Sequence, residues 1–502
     1  MPDNLFTRFV AAAPDPGRGF LRPLAGSRLT YGDAFAAAAR FAHVLTRHGA
    51  KPGDRVAVQV EKSPAALILY LACLRAGCVY LPLNTGYTPA ELAYFVQDAG
   101  PCLFVCSDKD RDKIAARLPA MTFLTMSDDG QDGSLIGEAA REPDVFADAP
   151  AGMGDLASIL YTSGTTGRAK GAMLTHGNLY SNADSLRQAW EFSRDDVLLH
   201  ALPIFHIHGL FVATNVAMLS GASLLLLAKF EPDAVFQALP QASVMMGVPT
   251  FYTRLLKDAR LDRNSTRHMR LFVSGSAPLL PETHAQWRER TGHAILERYG
   301  MTETNMNASN PYRGARIPGS VGLPLPGVEI RIADGEGQAV PQGEIGMIEV
   351  RGPNVFKGYW NMPEKTQAEF RKDGFFMTGD LGTVGADGYL RIVGRGKDLI
   401  ITGGLNVYPR EIESLLDELP GVEESAVVGL PHDDFGEGVT AFLVLKPGAK
   451  LTQARVVDGL GDRLARFKLP KRVLFVDQLP RNSMGKVQKS ALRQEYAGLY
   501  QG

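Results

Sequence analysis

The chain has 502 residues, of which 45% are hydrophobic and 21% charged, and its formal net charge is −1. That length exceeds what one hydrophobic core supports, so two or more domains are expected. The balanced charge excludes bulk attraction to nucleic acid or to a membrane surface.

The opening Met1-Pro2-Asp3-Asn4 has no basic segment leading into an apolar one, and the closing Tyr-Gln-Gly is no targeting tail, so a cytoplasmic protein is expected. Residues 55–60 read as a strand, 64–76 as a buried helix and 102–106 as another strand, an α/β alternation. The apolar run 65–74 is too short to span a bilayer and is interrupted by Arg75. Cys73, Cys78, Cys102 and Cys106 lie in apolar segments without a nearby histidine, which reads as buried free thiols and not as a zinc site. Residues 127–155, rich in Asp, Gly and Ala, read as surface linker with a helical piece near 135–141.

Residues 161–171 follow, with four Ser/Thr hydroxyls, three glycines and a lysine. Thr162, Ser163, Gly164, Thr165, Thr166, Gly167 and Lys170 suit a polyphosphate: glycines admit backbone N–H groups, hydroxyls donate, and the ammonium supplies charge. The spacing is not that of a Walker A loop, since Gly164 and Gly167 are three apart and Lys170 follows three later. A strand-like run, 157–160, precedes the loop, and a helix-like run, 172–174, comes after it.

His206 and His208 flank Ile207. Read on a strand, the pair is expected not to bind a metal jointly, with one histidine lining a pocket while the other packs. A pattern then recurs. Residues 244–248 are strand-like and Pro249 opens a helix carrying Arg254. Residues 271–273 are strand-like and turn through Ser276, Ala277 and Pro278. Residues 294–298 are strand-like and lead into 299–304. Ligands of parallel α/β sheets sit at the carboxyl ends of strands, so these loops imply one shared pocket. Tyr299 to Glu303 offers an aromatic face, a hydroxyl and a carboxylate able to hold Mg²⁺, or equally a helix start capped by Thr302.

From 319 to 393 short alternating strands are separated by Gly/Pro turns, which reads as a β-rich subdomain. Thr378-Gly379-Asp380 within it is an ordinary turn or a carboxylate for two vicinal hydroxyls. After the charged junction at Arg395 to Lys397, Pro409 opens an amphipathic helix with Ile412, Leu415, Leu416 and Leu419 on one face. Strand-like runs 426–428, 442–445 and 473–476 complete a small α+β domain. The expected fold is α/β: a large N-terminal domain, 1–395, of two α/β subdomains plus the β-rich one, and a small mobile α+β domain, 396–502. Spacing alone does not single out Lys486, a lysine after a glycine in a late loop.

Taken in order, the Thr-Ser-Gly-Thr-Thr-Gly loop, Tyr-Gly-Met-Thr-Glu, Thr-Gly-Asp, Gly-Arg-Gly-Lys-Asp and Pro-Arg-Asn-Ser-Met-Gly-Lys resemble the acyl-adenylate-forming superfamily of acyl-CoA synthetases, luciferases and peptide-synthetase adenylation domains. The resemblance spans nearly the whole chain. It implies that a carboxylate attacks the α-phosphate of Mg·ATP, and that coenzyme A then displaces AMP. It places Lys486 on the carboxylate and α-phosphate, 162–170 on the β- and γ-phosphates, and Thr302 and Glu303, the latter with Mg²⁺, in the same clamp. Asp380 and Arg395 would hold the ribose. Ser276, Ala277, Pro278 and Tyr299 would surround adenine, with Glu297, Arg298, Gly300 and Met301 adjoining. Lys397 matches the hinge, and Gly403 and Gly404 would admit the pantetheine arm of CoA.

Within the superfamily, segments 200–215, 246–256 and 297–307 are most similar to malonyl-CoA synthetases. Malonate carries a distal carboxylate that needs a cation when buried. Arg254 is the candidate, assisted by His206, also a candidate catalytic residue, by Ser276 and by Met306; methylmalonate is a plausible second substrate. Three rivals remain: a medium-chain or aryl acyl-CoA synthetase, a peptide-synthetase adenylation domain, and a non-catalytic nucleotide-binding regulatory protein. Lys486, alternately buried on ATP and exposed, is also a candidate for a protein lysine acetyltransferase and deacetylase.

Overall fold

A computed structural model describes residues 3–24, 26–162, 169–461, 463–482 and 485–500. Of the residues assigned to phosphate binding, Ser163, Gly164, Thr165, Thr166 and Gly167 lie outside the described residues. The chain divides into two compact units, one of 1–279, 283–329 and 350–376, the other of 280–282, 330–349 and 377–502.

Two sheets organise the first unit. In one, Arg55–Gln59, Val79–Pro82, Leu103–Cys106 and Thr122–Thr125 run parallel, and Leu156–Thr162 joins them beside Val79–Pro82. Pro64–Arg75 is buried along almost its whole length, as its near-continuous apolar sequence requires, and Ser63 caps it by accepting from Ala66 N–H at 3.2 Å. The second sheet has nine strands among the described residues, with Val197–His200, Val244–Gly247, Leu271–Ser274 and Leu296–Met301 adjacent and parallel. Their carboxyl ends therefore open on one edge, as the recurring strand-and-loop pattern anticipates. Behind that edge, Tyr252, Phe272 and Trp287 pack edge-to-face, with ring centroids 4.9 Å apart for Tyr252–Trp287 and 5.0 Å for Phe272–Trp287.

Three local expectations need correction. Residues 172–174 are not helical; they lie in the strand Lys170–Thr175, antiparallel to Leu156–Thr162. Three apolar residues cannot separate a period of 2 from one of 3.6, and pairing across the hairpin decides. His206 and His208 are not on a strand either, because a π-helix spans His208–Thr214. Finally, the strand expected at 294–298 runs on as Leu296–Met301 and turns back through 302–304 into Asn305–Ser309, so Thr302 caps no helix. Gly300 is required there, since a Cβ would run into the Asn305 carbonyl oxygen.

Most of a four-stranded sheet of Glu329–Ala333, Gly346–Arg351, Phe376–Val384 and Leu390–Arg395 belongs to the second unit. This unit also holds an α+β part in which Pro409–Asp417 buries Ile412 and Leu416 against Val422–His432 and Gly436–Leu445. No helix among the described residues is long and apolar enough to cross a membrane. All four cysteines are free, and burial pushes the Cys78 and Cys106 thiols up to about 12.

Candidate active site

Lys170 opens the strand Lys170–Thr175. The segment 357–360 pairs with it through Lys357 N–H donating to Met173 O at 2.9 Å, Met173 N–H to Gly358 O at 2.9 Å and Trp360 N–H to Gly171 O at 2.8 Å. This pairing sets Tyr359 beside Lys170, whose Nζ lies 4.1 Å from the ring centroid and 3.2 Å from Glu369 Oε1. The Tyr359 hydroxyl lies 2.6 Å from Glu369 Oε2 and 3.0 Å from Glu303 Oε1, so its single proton is shared between two carboxylates. Burial and the flanking Glu303 push its pKa up, which keeps it a donor. Burial alone would raise the Glu369 carboxyl, but hydrogen bonds from Lys365 and Tyr359 and the Lys170 charge hold it below the usual carboxylate range. Glu303 is buried on the hairpin turn, and its carbonyl accepts from Phe356 N–H at 2.8 Å.

The wall at the carboxyl ends of the parallel strands is cationic. Arg298, on Leu296–Met301, is only 4% exposed, yet among the described residues no carboxylate pairs with it and its Nε is unpartnered. Ser276 is a hydrogen-bonding neighbour, its Oγ 3.5 Å from Nη2. Burial pulls the guanidinium pKa down to about 9. The guanidinium lies on Gly275, where a Cβ would collide with it, so this glycine makes its room. Ser276 holds a left-handed φ of +69°, a strain of ~1–2 kcal/mol, which turns its Oγ to within 3.2 Å of His208 Nδ1. His208 is buried, its Nε2 has no partner, and burial with the nearby Arg298 drives its pKa well down. Arg254 is exposed, over the Phe230 face at 5.1 Å, and Phe230 stacks on Phe251 at 3.9 Å.

In sequence, residues 9–360 match the AMP-binding enzyme family, and 411–486 match the AMP-binding enzyme C-terminal domain. The chain belongs to the AMP-binding enzymes. The ATP-bound MatB of Rhodopseudomonas palustris superposes with a TM-score of 0.98 at 57% identity, covering 100% of both chains. The malonate–CoA ligase of Arabidopsis thaliana is 37% identical over 479 residues, 89% of this chain and 78% of the relative. A feruloyl-CoA synthase of Amycolatopsis sp is also 37% identical, over 475 residues and 94% of each chain. This AMP-binding enzyme is an AMP-forming acid–thiol ligase, with ATP and coenzyme A as co-substrates.

The remaining site residues fall as follows. Ala277 and Pro278 are exposed, whereas Tyr299, Glu297 and Met306 are buried, and Glu297 Oε1 accepts from Gly319 N–H at 3.3 Å. His206 is half-buried, and its Nδ1 accepts from His208 N–H at 3.4 Å. His208 reaches Ser276. In the second unit, antiparallel pairing aligns Asp380 with Arg395, and the two side chains form an ion pair of 2.7 Å. Lys397 sits in the 3₁₀ turn Gly396–Asp398, where burial lowers its pKa. Gly403 and Gly404, with φ of +58° and +77°, form the two-residue turn between Ile400–Thr402 and Leu405–Val407; that backbone demand alone accounts for both glycines. Lys486 is exposed, and its loop is tied by Lys486 N–H donating to Asn482 Oδ1 at 3.0 Å and Asn482 N–H to Lys486 O at 2.9 Å.

Sequence reasoning did not single out Tyr359 and Glu369, it left open which of His206 and His208 lines a pocket, and it placed Arg298 on the edge adjoining adenine. Tyr359 and Glu369 carry no motif that points to phosphate, and only the pairing of 357–360 with Lys170–Thr175 reveals them. Among the described residues no group of three or more His, Cys, Asp and Glu could hold a metal. A lone buried carboxylate such as Glu303 nevertheless suits Mg²⁺, which keeps waters and phosphate oxygens as its other ligands.

Proposed function

We propose that this enzyme is a malonate–CoA ligase. Malonate attacks the α-phosphate of ATP to give malonyl-AMP and pyrophosphate, and the CoA thiol then displaces AMP to give malonyl-CoA. The observation that carries this reading is the buried, carboxylate-free Arg298 beside Ser276 and His208. Relatives at equal identity are named for a malonate and for a feruloyl substrate; the 57%-identical MatB and the further malonate–CoA ligases among the relatives support malonate. The pocket chemistry supports it as well. A desolvated guanidinium with no carboxylate beside it among the described residues is costly, and a ligand with a distal carboxylate supplies the missing charge, whereas a simple aryl or medium-chain acid does not. Arg298 thus takes the distal carboxylate, with Arg254 as a second cation at the exposed rim and Met306 and His206 as further lining. Methylmalonate adds only a C2 methyl, and we include it as a second substrate.

For adenylation, Lys486 brings positive charge to the reacting carboxylate and α-phosphate, where two anions must meet. Lys170, with the hydroxyls of 162–166, takes the β- and γ-phosphates, and Asp380 and Arg395 the ribose. Glu303 would hold Mg²⁺, which when bound neutralises phosphate charge. Exchange of half-reactions by a swing at Lys397, between parts 1–395 and 396–502, presents Gly403 and Gly404 to CoA. Acetylation of Lys486 by a protein acetyltransferase, reversed by a deacetylase, would silence adenylation in a cytoplasmic enzyme.

The test is ATP–pyrophosphate exchange with malonate, methylmalonate, ferulate, octanoate and acetate. Exchange with malonate that Arg298→Met or Arg254→Ala abolishes supports the reading. Exchange with ferulate or octanoate but not malonate overturns the substrate while leaving the ligase chemistry intact.

A further inference from the structure

A second carboxylate-free amine lies buried in the first unit. Lys62 follows the strand Arg55–Gln59 and immediately precedes Ser63, the cap of the helix Pro64–Arg75, so its backbone is held from both sides. Its side chain is buried, and its Nζ lies 2.8 Å from His200 Nδ1 and 2.7 Å from His200 O. Among the described residues no acid pairs with it. Burial drives its pKa well down, so it serves as a hydrogen-bond donor and not as half of an ion pair.

The donor pattern can be worked out atom by atom. His200 Nε2 is 2.9 Å from Gly209 O, and a carbonyl oxygen only accepts, so Nε2 carries the proton. His200 Nδ1 then presents a lone pair, and Lys62 must donate to it. Burial together with Lys62 keeps His200 neutral, consistent with that tautomer. The His200 carbonyl is saturated, because it accepts from Lys62 and from Leu227 N–H at 3.0 Å.

Gly209 is the residue after His208 in the π-helix His208–Thr214. A π-turn leaves carbonyls poorly paired within the helix, and here the Gly209 carbonyl also takes the Thr214 hydroxyl at 3.1 Å. Gly209 has no slack to move, since a Cβ on it would run into the Pro203 carbonyl. The next residue back, His208, meets Ser276 at 3.2 Å in the wall that contains Arg298.

We infer that Lys62 is a positioning residue for the acyl pocket: through His200 and the Gly209 carbonyl it holds the π-turn that sets His208 against Ser276 and Arg298. This rests on the malonate reading for the identity of the acid. It also explains a basic residue at the end of a strand in a different sheet from the pocket. An apolar residue of equal length would pack there, but it would leave His200 Nδ1 unsatisfied and the ring anchored at Nε2 alone.

The experiment measures KM for malonate and for ATP in the exchange reaction, on full-length wild type, Lys62→Met, His200→Phe, the double variant and His200→Gln. Wild-type activity with malonate tests the substrate reading; if another acid is activated, its KM replaces that of malonate and the inference is still tested. Expected are an acid KM raised about tenfold in Lys62→Met with the ATP KM within about twofold of wild type. The double variant should be no worse than the single variants, since they break one chain. His200→Gln, which keeps a donor for Gly209 O, should restore most of the affinity. A loss of kcat with the acid KM unchanged, equal shifts in both KM values, or additive effects would overturn the inference. If Lys62→Met does not fold, His200→Phe against His200→Gln decides: equal acid KM values in those two would overturn it.

Discussion

Replacing Arg298 by methionine should stabilise the enzyme while disabling it. The guanidinium is buried, its Nε is unpartnered, and its pKa is drawn down to about 9. At ~1.4 kcal/mol for each tenfold in proton affinity, that displacement caps the cost of keeping it charged at ~5 kcal/mol. Relaxation and water penetration reduce this, so a gain of ~2 kcal/mol is expected for Met, which for a chain of this length corresponds to a Tm rise of ~2 °C. The pH dependence carries the sign. Arg298 binds its proton less tightly in the folded protein than in the unfolded one. Between about 9 and the ordinary arginine pKa the unfolded chain therefore holds more protons, and wild-type stability gains relative to the variant as pH rises. The Tm advantage of Arg298→Met, measured by calorimetry without ligands, should be full at pH 7 and shrink above about pH 9. In exchange assays kcat/KM for malonate should fall about 100-fold, because the distal carboxylate would be buried without its partner. A variant that is less stable than wild type at pH 7, or that keeps malonate activity within a few-fold, would refute the reasoning.

Glu369→Gln should lower the KM for Mg·ATP by about two- to fivefold in steady-state assays, because Glu369 competes with phosphates for Lys170 at 3.2 Å; an unchanged or higher KM would show that Glu369 helps to bind instead. Lys486→Ala should reduce malonyl-AMP formation by about 100-fold or more while thioester formation from supplied malonyl-AMP survives. Because Lys486 is exposed, its Tm should match wild type; equal loss of both half-reactions would contradict the assignment. Native protein should react slowly with a thiol reagent and release its thiols on denaturation, since burial pushes Cys78 and Cys106 up to about 12, and reductant should leave Tm unchanged.

Several features follow from local sequence because their cause is local. Pro64, Pro249 and Pro409 open helices where a missing N–H costs nothing, and each helix is found. Strands expected over 244–248, 271–273 and 294–298 came from runs of β-branched and apolar residues bounded by turn formers, and parallel pairing of Val244–Gly247, Leu271–Ser274 and Leu296–Met301 puts their carboxyl ends on one edge. The order of motifs from Thr162 to Lys486 identified the chemistry, since each carries groups that bind phosphate, ribose or carboxylate. Where the cause lies in distant residues, the sequence was silent. Ala172 to Leu174 became a strand because Leu156–Thr162 paired with it. Tyr359 reached Lys170 only through a ladder between segments nearly two hundred residues apart. Whether His206 or His208 faces the acyl wall depended on a π-helix that alternation cannot foresee. Burial of an arginine or a lysine is likewise a property of everything packed around it. Composition and order along the chain thus determined which reaction class this protein serves. Tertiary packing decided which cations lose their water without gaining a carboxylate among the described residues, because burial depends on everything packed around a side chain.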